Sequence, residues 1–138
     1  VTLTAISELR VALATILADD PGLDALLSGR KVYLFQAPVG VALNYVVVGQ
    51  PIVDTTDPYY GQGARRHRRR LTAWARTAWT AEDIYARMVV ILDGVLLSLD
   101  GGHTMQRSSL SYLAGPIEDE DRKAWGVTAD WLVKTREG

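Results

Sequence analysis

Residues 63–75, GARRHRRRLTAWA, hold the densest chemistry in the sequence. Five arginines and one histidine occupy six consecutive positions: Arg65, Arg66, His67, Arg68, Arg69 and Arg70. Guanidinium groups present planar forks of donors suited to phosphate or carboxylate, and they stay charged at any working pH. The run therefore points to a polyanion or to an acidic protein surface. A second charged stretch stands at Glu118, Asp119, Glu120 and Asp121. Four adjacent carboxylates lack the spaced ligands and the glycine of a calcium loop. A solvated acidic loop or a protein contact is the reading they support.

Other chemistry is sparse. His67 and His103 are the only histidines, and neither stands at metal-ligand spacing from a carboxylate. Both read as solvated loop residues. There is no cysteine, so a disulfide, a thiolate metal site and a cysteine nucleophile are excluded. No phosphate-cradling glycine loop or serine nucleophile elbow occurs. No catalytic residue, metal ligand or cofactor site is expected, and the chain reads as a non-enzyme. Trp74, Trp79, Trp125 and Trp131 read mainly as core or contact side chains rather than base-stacking platforms.

Bulk properties narrow the partners. The chain has 138 residues, of which 48% are hydrophobic, and its net charge is −1. That suits one domain, 1–138, with one core. A nucleic-acid binder is usually basic overall. Here charge is segregated instead, with six arginines in 65–76 and the acidic block later. Opposite patches on a near-neutral chain suit association between proteins. No apolar run approaches the roughly 18 residues of a membrane span, and the N-terminus lacks the succession of a secretory signal. The absence of cysteine fits a cytosolic protein.

These residues must be positioned by the elements around them. Residues 4–19 carry Ile6, Leu9, Leu13, Ile16 and Leu17 at helical spacing, with Thr4 as a cap. DDPG at 19–22 stops this helix, and 23–28 add a turn or two ending near Gly29. KVYLFQAPVG predicts a short strand and a Pro-Gly loop, and 44–53 a strand with Pro51 at an edge or bulge. Residues 54–67 read as a long mobile loop offering Tyr59 and Tyr60. A strand follows at 68–76, with Arg68 and Arg70 on one face and Arg69 on the other. Thr80 caps a helix whose buried face is Ile84, Met88, Ile91 and Leu92, with Gly94 closing it. After a turn at 100–103 come a strand in TMQRSSLSYLAG and an exposed loop in GPIEDEDR. In AWGVTADWLVKT, Trp125, Val127, Ala129, Trp131 and Val133 alternate with polar residues, the mark of a half-buried strand. The expected fold is α+β: a mainly antiparallel four- to five-stranded sheet with two main helices packed on one face.

The ordered set of motifs resembles a known family. RKVYLFQAPVGVALNYVVV resembles a stretch in small tail proteins of long-tailed bacteriophages, where a short strand leads through Ala-Pro-x-Gly to a Tyr-Val-Val-Val strand. RLTAWARTAWTAEDIYARMVVILDG, LDGGH, IEDEDR and WGVTADWLV resemble its following segments in the same order. Asn44 stands where that family often has proline. The match covers essentially the whole chain. It is similar to the tail-terminator, or tail-completion, group of head-to-tail joining proteins, related to the lambda-like tail terminator.

The resemblance implies a non-enzymatic virion protein at the tail–neck junction, assembled in the host cytoplasm. It implies a homo-oligomeric ring, hexameric in this group. The ring would cap the tube of major tail protein, stop its polymerisation and dock a head connector or stopper protein. DNA would only pass through the lumen, and no membrane is involved. Arg65, Arg66, Arg68, Arg69, Arg70, Tyr59, Tyr60, Glu118, Asp119, Glu120 and Asp121 are then the expected subunit or partner contacts. The alternatives are a head-side stopper or adaptor, and a small DNA-binding protein using the arginine run.

Overall fold

The computed structural model describes residues 5–56, 64–97, 99 and 103–137. In chain order the elements are α1 (Ala5–Ala18), α2 (Pro21–Leu27), β1 (Val32–Leu34), β2 (Tyr45–Thr56), β3 (Ala64–Ala75), α3 (Ala78–Leu92), β4 (His103–Asp119) and β5 (Ala124–Glu137). The strands lie in the order β1-β2-β3-β5-β4. Helices α1 and α3 pack on one face of this sheet and α2 packs against them, all around a single apolar cluster.

Each helix has an identifiable reason to form. In α1, Leu9, Leu13 and Leu17 recur every four residues and are buried. Helix α2 starts where the Asp20 carboxylate accepts the Leu23 N–H at 2.7 Å, and Pro21 supplies a fixed φ at the first turn. It ends at Ser28, whose left-handed backbone returns its N–H to the Asp24 carbonyl. Helix α3 buries Ala81, Ile84, Met88 and Leu92. Its cap is Thr77 rather than the expected Thr80. β3 ends at Ala75, and the extended Thr77 then accepts the Thr80 N–H at 3.2 Å, so the helix begins one turn earlier. Thr4, the cap expected for α1, and most of the turn expected at 100–103 lie outside the described residues.

The fold class is α+β as expected; three of the four ladders are antiparallel, but the sheet is mixed rather than purely antiparallel, and the short α2 joins the two main helices. β1 runs parallel to β2, while β2, β3, β5 and β4 alternate. The 35–44 connection is long enough to bring the chain back in the same direction, which a hairpin cannot do. β4 also runs further than expected. Register shifts between Tyr112 and Ala114 and between Ala114 and Ile117 carry it past Pro116, so Glu118 and Asp119 belong to a strand and not a loop. With the two runs of β4 on either side of Gly115–Pro116 counted separately, the five-stranded sheet has six runs, against four or five expected.

One ionic clamp joins the helical layer. Arg87 of α3 donates through Nε and Nη2 to both oxygens of Asp20, each at 2.8 Å. The paired guanidinium, above all other causes, holds the Asp20 carboxyl below its ordinary value of 3.8. A group whose folded pKa is depressed contributes stability above the unfolded pKa and loses it as pH falls through the folded one. Asn caps as well as Asp, so Asp20→Asn isolates the charge. This variant should melt below the parent at neutral pH, and the gap should close as pH falls below 3.8. Thermal melts from pH 7 to pH 3 check this, and a gap constant with pH would contradict it.

Candidate interaction surface

The arginine run lies wholly within β3, so the strand's two-residue period divides it. Arg66, Arg68 and Arg70 are exposed on the face that carries no helix, whereas His67 and Arg69 are buried on the helical side. Exposed Arg65 stands at the start of the run. The expected loop 54–67 is strand at both of its ends, because Asp54, Thr55 and Thr56 pair with His67, Arg66 and Arg65. Residues 57–63, with Tyr59 and Tyr60, lie outside the described residues.

Two expectations for this run change. His67 is not a solvated loop residue: its Nε2 lies 2.8 Å from the Thr135 hydroxyl on β5, in the interior. Arg69 does not belong to the exposed contact row. Its Nη1 donates to the Gly49 carbonyl at 3.0 Å, and burial, reinforced by the charge of Arg10, lowers its pKa. Arginine remains charged even so. Its role in the folded subunit is to satisfy the backbone at the β2 irregularity between Val48 and Pro51.

The open face gathers cations that sequence spacing does not bring together. Arg66 lies opposite Lys134 of β5, and Lys134 lies opposite Arg107 of β4. Like charges set directly across a ladder oppose folding. A concavity of about 490 Å³ is lined by Arg66, Arg68, Arg107 and Lys134 around Ser109 and Leu132. Beside Arg68 and Arg70 on this face stands a buried carboxylate, Asp130. Asp130 accepts from Arg70 Nε at 3.1 Å and lies 3.8 Å from Arg68 Nε, so it orients two guanidiniums in one row. Arg107, Lys134 and Asp130 were invisible as site residues in the sequence, because only the register of β3, β5 and β4 makes them neighbours of the arginines.

The acidic block occupies the other end of the same sheet. Glu118 and Asp119 end β4, and Glu120 and Asp121 form the turn to β5. Asp119 accepts the backbone N–H groups of Asp121 and Arg122 at 3.2 and 3.4 Å, which shapes the turn. Arg122 then folds back with its guanidinium carbon 5.0 Å from the centre of the Trp74 ring. Glu118 is opposite Trp125, and Arg66 is opposite Lys134. Nine residues of β5 separate those two positions, or roughly 30 Å at strand rise. Arg66 and Glu118 of one chain therefore cannot pair with each other.

Among the tryptophans, Trp131 is buried, Trp74 and Trp125 are half-buried, and Trp79 is exposed. Among the described residues there is no cluster of metal-ligating side chains and no helix long and apolar enough to cross a membrane.

The fold is thus a three-helix layer on a mixed sheet, with the arginine run and the acidic block at the two ends of that sheet. The chain belongs to the family described as Tail completion protein gp17, which matches residues 11–133. Membership gives it a structural role in a phage tail. It is also similar to a chain in the solved structure "Virion of native gene transfer agent (GTA) particle". The two are 25% identical, the match covers 99% of this chain and 100% of that one, and the TM-score is 0.65. A second solved structure, 13% identical over 99% of this chain and 97% of that one with a TM-score of 0.54, shares the fold. No curated protein matches.

Proposed function

We propose that copies of this chain close into a ring, hexameric by family resemblance, that caps the finished tail tube, stops its growth and joins it to the head connector. The observation that carries this reading is the separation of charge along one sheet. Arg66, Arg68 and Arg70, with Arg65, Arg107 and Lys134, form one end; Glu118, Asp119, Glu120 and Asp121 form the other. A part that joins two different structures needs two unlike faces, and charge complementarity sets partner choice more than raw affinity. The arginine end and the acidic end are those faces, each toward tube, connector or a neighbouring copy. Tyr59 and Tyr60 are proposed as further contact side chains. The ring is a virion component of the tail–neck junction, built in the host cytoplasm, and it performs no catalysis. DNA passes through the lumen without tight binding, since firm phosphate contacts would impede ejection.

Charge reversal tests this. Arg66→Glu, Arg68→Glu and Arg70→Glu together should reduce tail joining at least tenfold in an in vitro assembly assay, the loss of several pairs that contribute up to about 1 kcal/mol each. Reversal of the acidic residues should partly restore whichever contact joins the two ends between copies. Duplex DNA binding should stay weak at physiological salt. If the arginine variants join tails normally but lose a tight, salt-sensitive DNA complex, the chain is a DNA-binding protein instead. Decoration of isolated head connectors, but never of tube ends, in electron micrographs would make it a head-side stopper or adaptor.

A further inference from the structure

Both edges of the sheet expose apolar side chains, and they do so at the same height. On the β1 edge these are Leu34, Phe35 and Val39; on the β4 edge they are Tyr112, Leu113 and Ile117. The ladder pairs connect them rung by rung. Leu34 is opposite Val48, Val48 opposite Leu71, Leu71 opposite Ala129 and Ala129 opposite Tyr112. One end of that stretch is charged on both edges. Lys31, whose carbonyl accepts the Val46 N–H, falls at the Tyr45 rung. That rung continues through Trp74 and Gly126 to Ile117, the residue before Glu118. A basic residue beside one apolar edge thus stands within one rung of an acidic residue beside the other.

We infer that neighbouring copies meet edge to edge, with β4 of one copy packed against β1 and the 35–43 loop of the next. This rests on the ring reading and names its lateral contact. Four features of the structure support a second copy as the occupant. The charges are complementary and stand within one rung of each other. β4 runs opposite to β1, so the two edges meet antiparallel. Equal heights give no axial rise from copy to copy, which a head-to-tail contact requires if it is to close into a ring rather than a helical filament. Finally, Phe35 is held at a φ of 68°, costly for an aromatic residue, by its N–H donating to the Val48 carbonyl at 2.7 Å. That conformation leaves the ring half-exposed at the edge. Pro116 has no N–H, and the irregularities around it break the β4 ladder. The contact is therefore side-chain packing and charge, not strand addition.

The chain has no cysteine, which makes cross-linking clean. Leu34→Cys and Ile117→Cys sit on opposite edges at exposed positions, and circular dichroism should show both variants folded. With a short bismaleimide, the double variant should give a covalent ladder ending at the ring size. A mixture of the two single variants should give dimers only, and each alone should stay monomeric on a denaturing gel. A control pair on the exposed helical surface, Val11→Cys with Val90→Cys, should give no ladder. Lys31→Glu and Glu118→Lys should each weaken assembly about tenfold, and together restore it. Rings in electron micrographs without edge cross-links, Leu34→Cys linking to itself, or a charge swap that restores nothing would overturn the edge contact and leave the ring reading standing. A chain that stays monomeric both alone and on tail tubes would overturn the ring reading, and this inference with it.

Discussion

Trp131→Ala is expected to destabilise the subunit by about 3–5 kcal/mol and to lower its Tm by roughly 10–15 °C. Trp131 is only 1% exposed, on the helical face of β5 and between Arg69 on β3 and Leu110 on β4. Truncation removes the largest buried side chain at the centre of the sheet, where two flanking strands prevent the backbone from closing the void. The indole N–H meets no acceptor among the described residues. Trp131→Phe therefore forfeits part of the packing but also removes an unsatisfied buried donor. It should cost roughly 1–2 kcal/mol. Urea titrations of the three proteins check the order. A Phe variant as unstable as the Ala variant would mean that the indole nitrogen is bonded after all.

The parts legible in the sequence are those where one apolar face decides the conformation. β5 announced itself through Trp125, Val127, Ala129, Trp131 and Val133, and α1 and α3 through leucine and isoleucine spacing. The arginine run hid its structure because two positions facing the core carry His67 and Arg69. Polar side chains there break the alternation that marks a strand, and the reasons they fit, the Thr135 hydroxyl and the Gly49 carbonyl, lie far away in sequence. The same non-locality concealed Asp130. It read as one more polar residue on the outer face of β5, yet it is the counter-ion that aligns Arg68 and Arg70. The parallel pairing of β1 was equally unreadable, since nothing in a three-residue strand states its direction.

Pro116 made 115–122 look like a loop, and the residue before it explains why the strand survives. Gly115 has a φ of +115°, and a Cβ built there would lie 2.4 Å from the Gly126 carbonyl oxygen and 2.9 Å from the Val127 Cα. Backbone cannot yield as a flexible side chain does. Gly115→Ala should cost about 3–5 kcal/mol, part overlap and part backbone strain. Gly40→Ala separates the two contributions. Gly40 also has a positive φ, +80°, but nothing lies within 4 Å of its added Cβ. That variant should cost only about 1–2 kcal/mol. Equal denaturation midpoints for the two variants would show that the overlap at Gly115 is relieved without loss. If the overlap holds, β4 must lift from β5 at Gly126, and the Tyr112 hydroxyl loses the Gly115 carbonyl to which it donates. The rung that sets Ile117 level with Lys31, and Glu118 next to it, would then be displaced. Any Gly115→Ala protein that still folds should consequently fail to form rings.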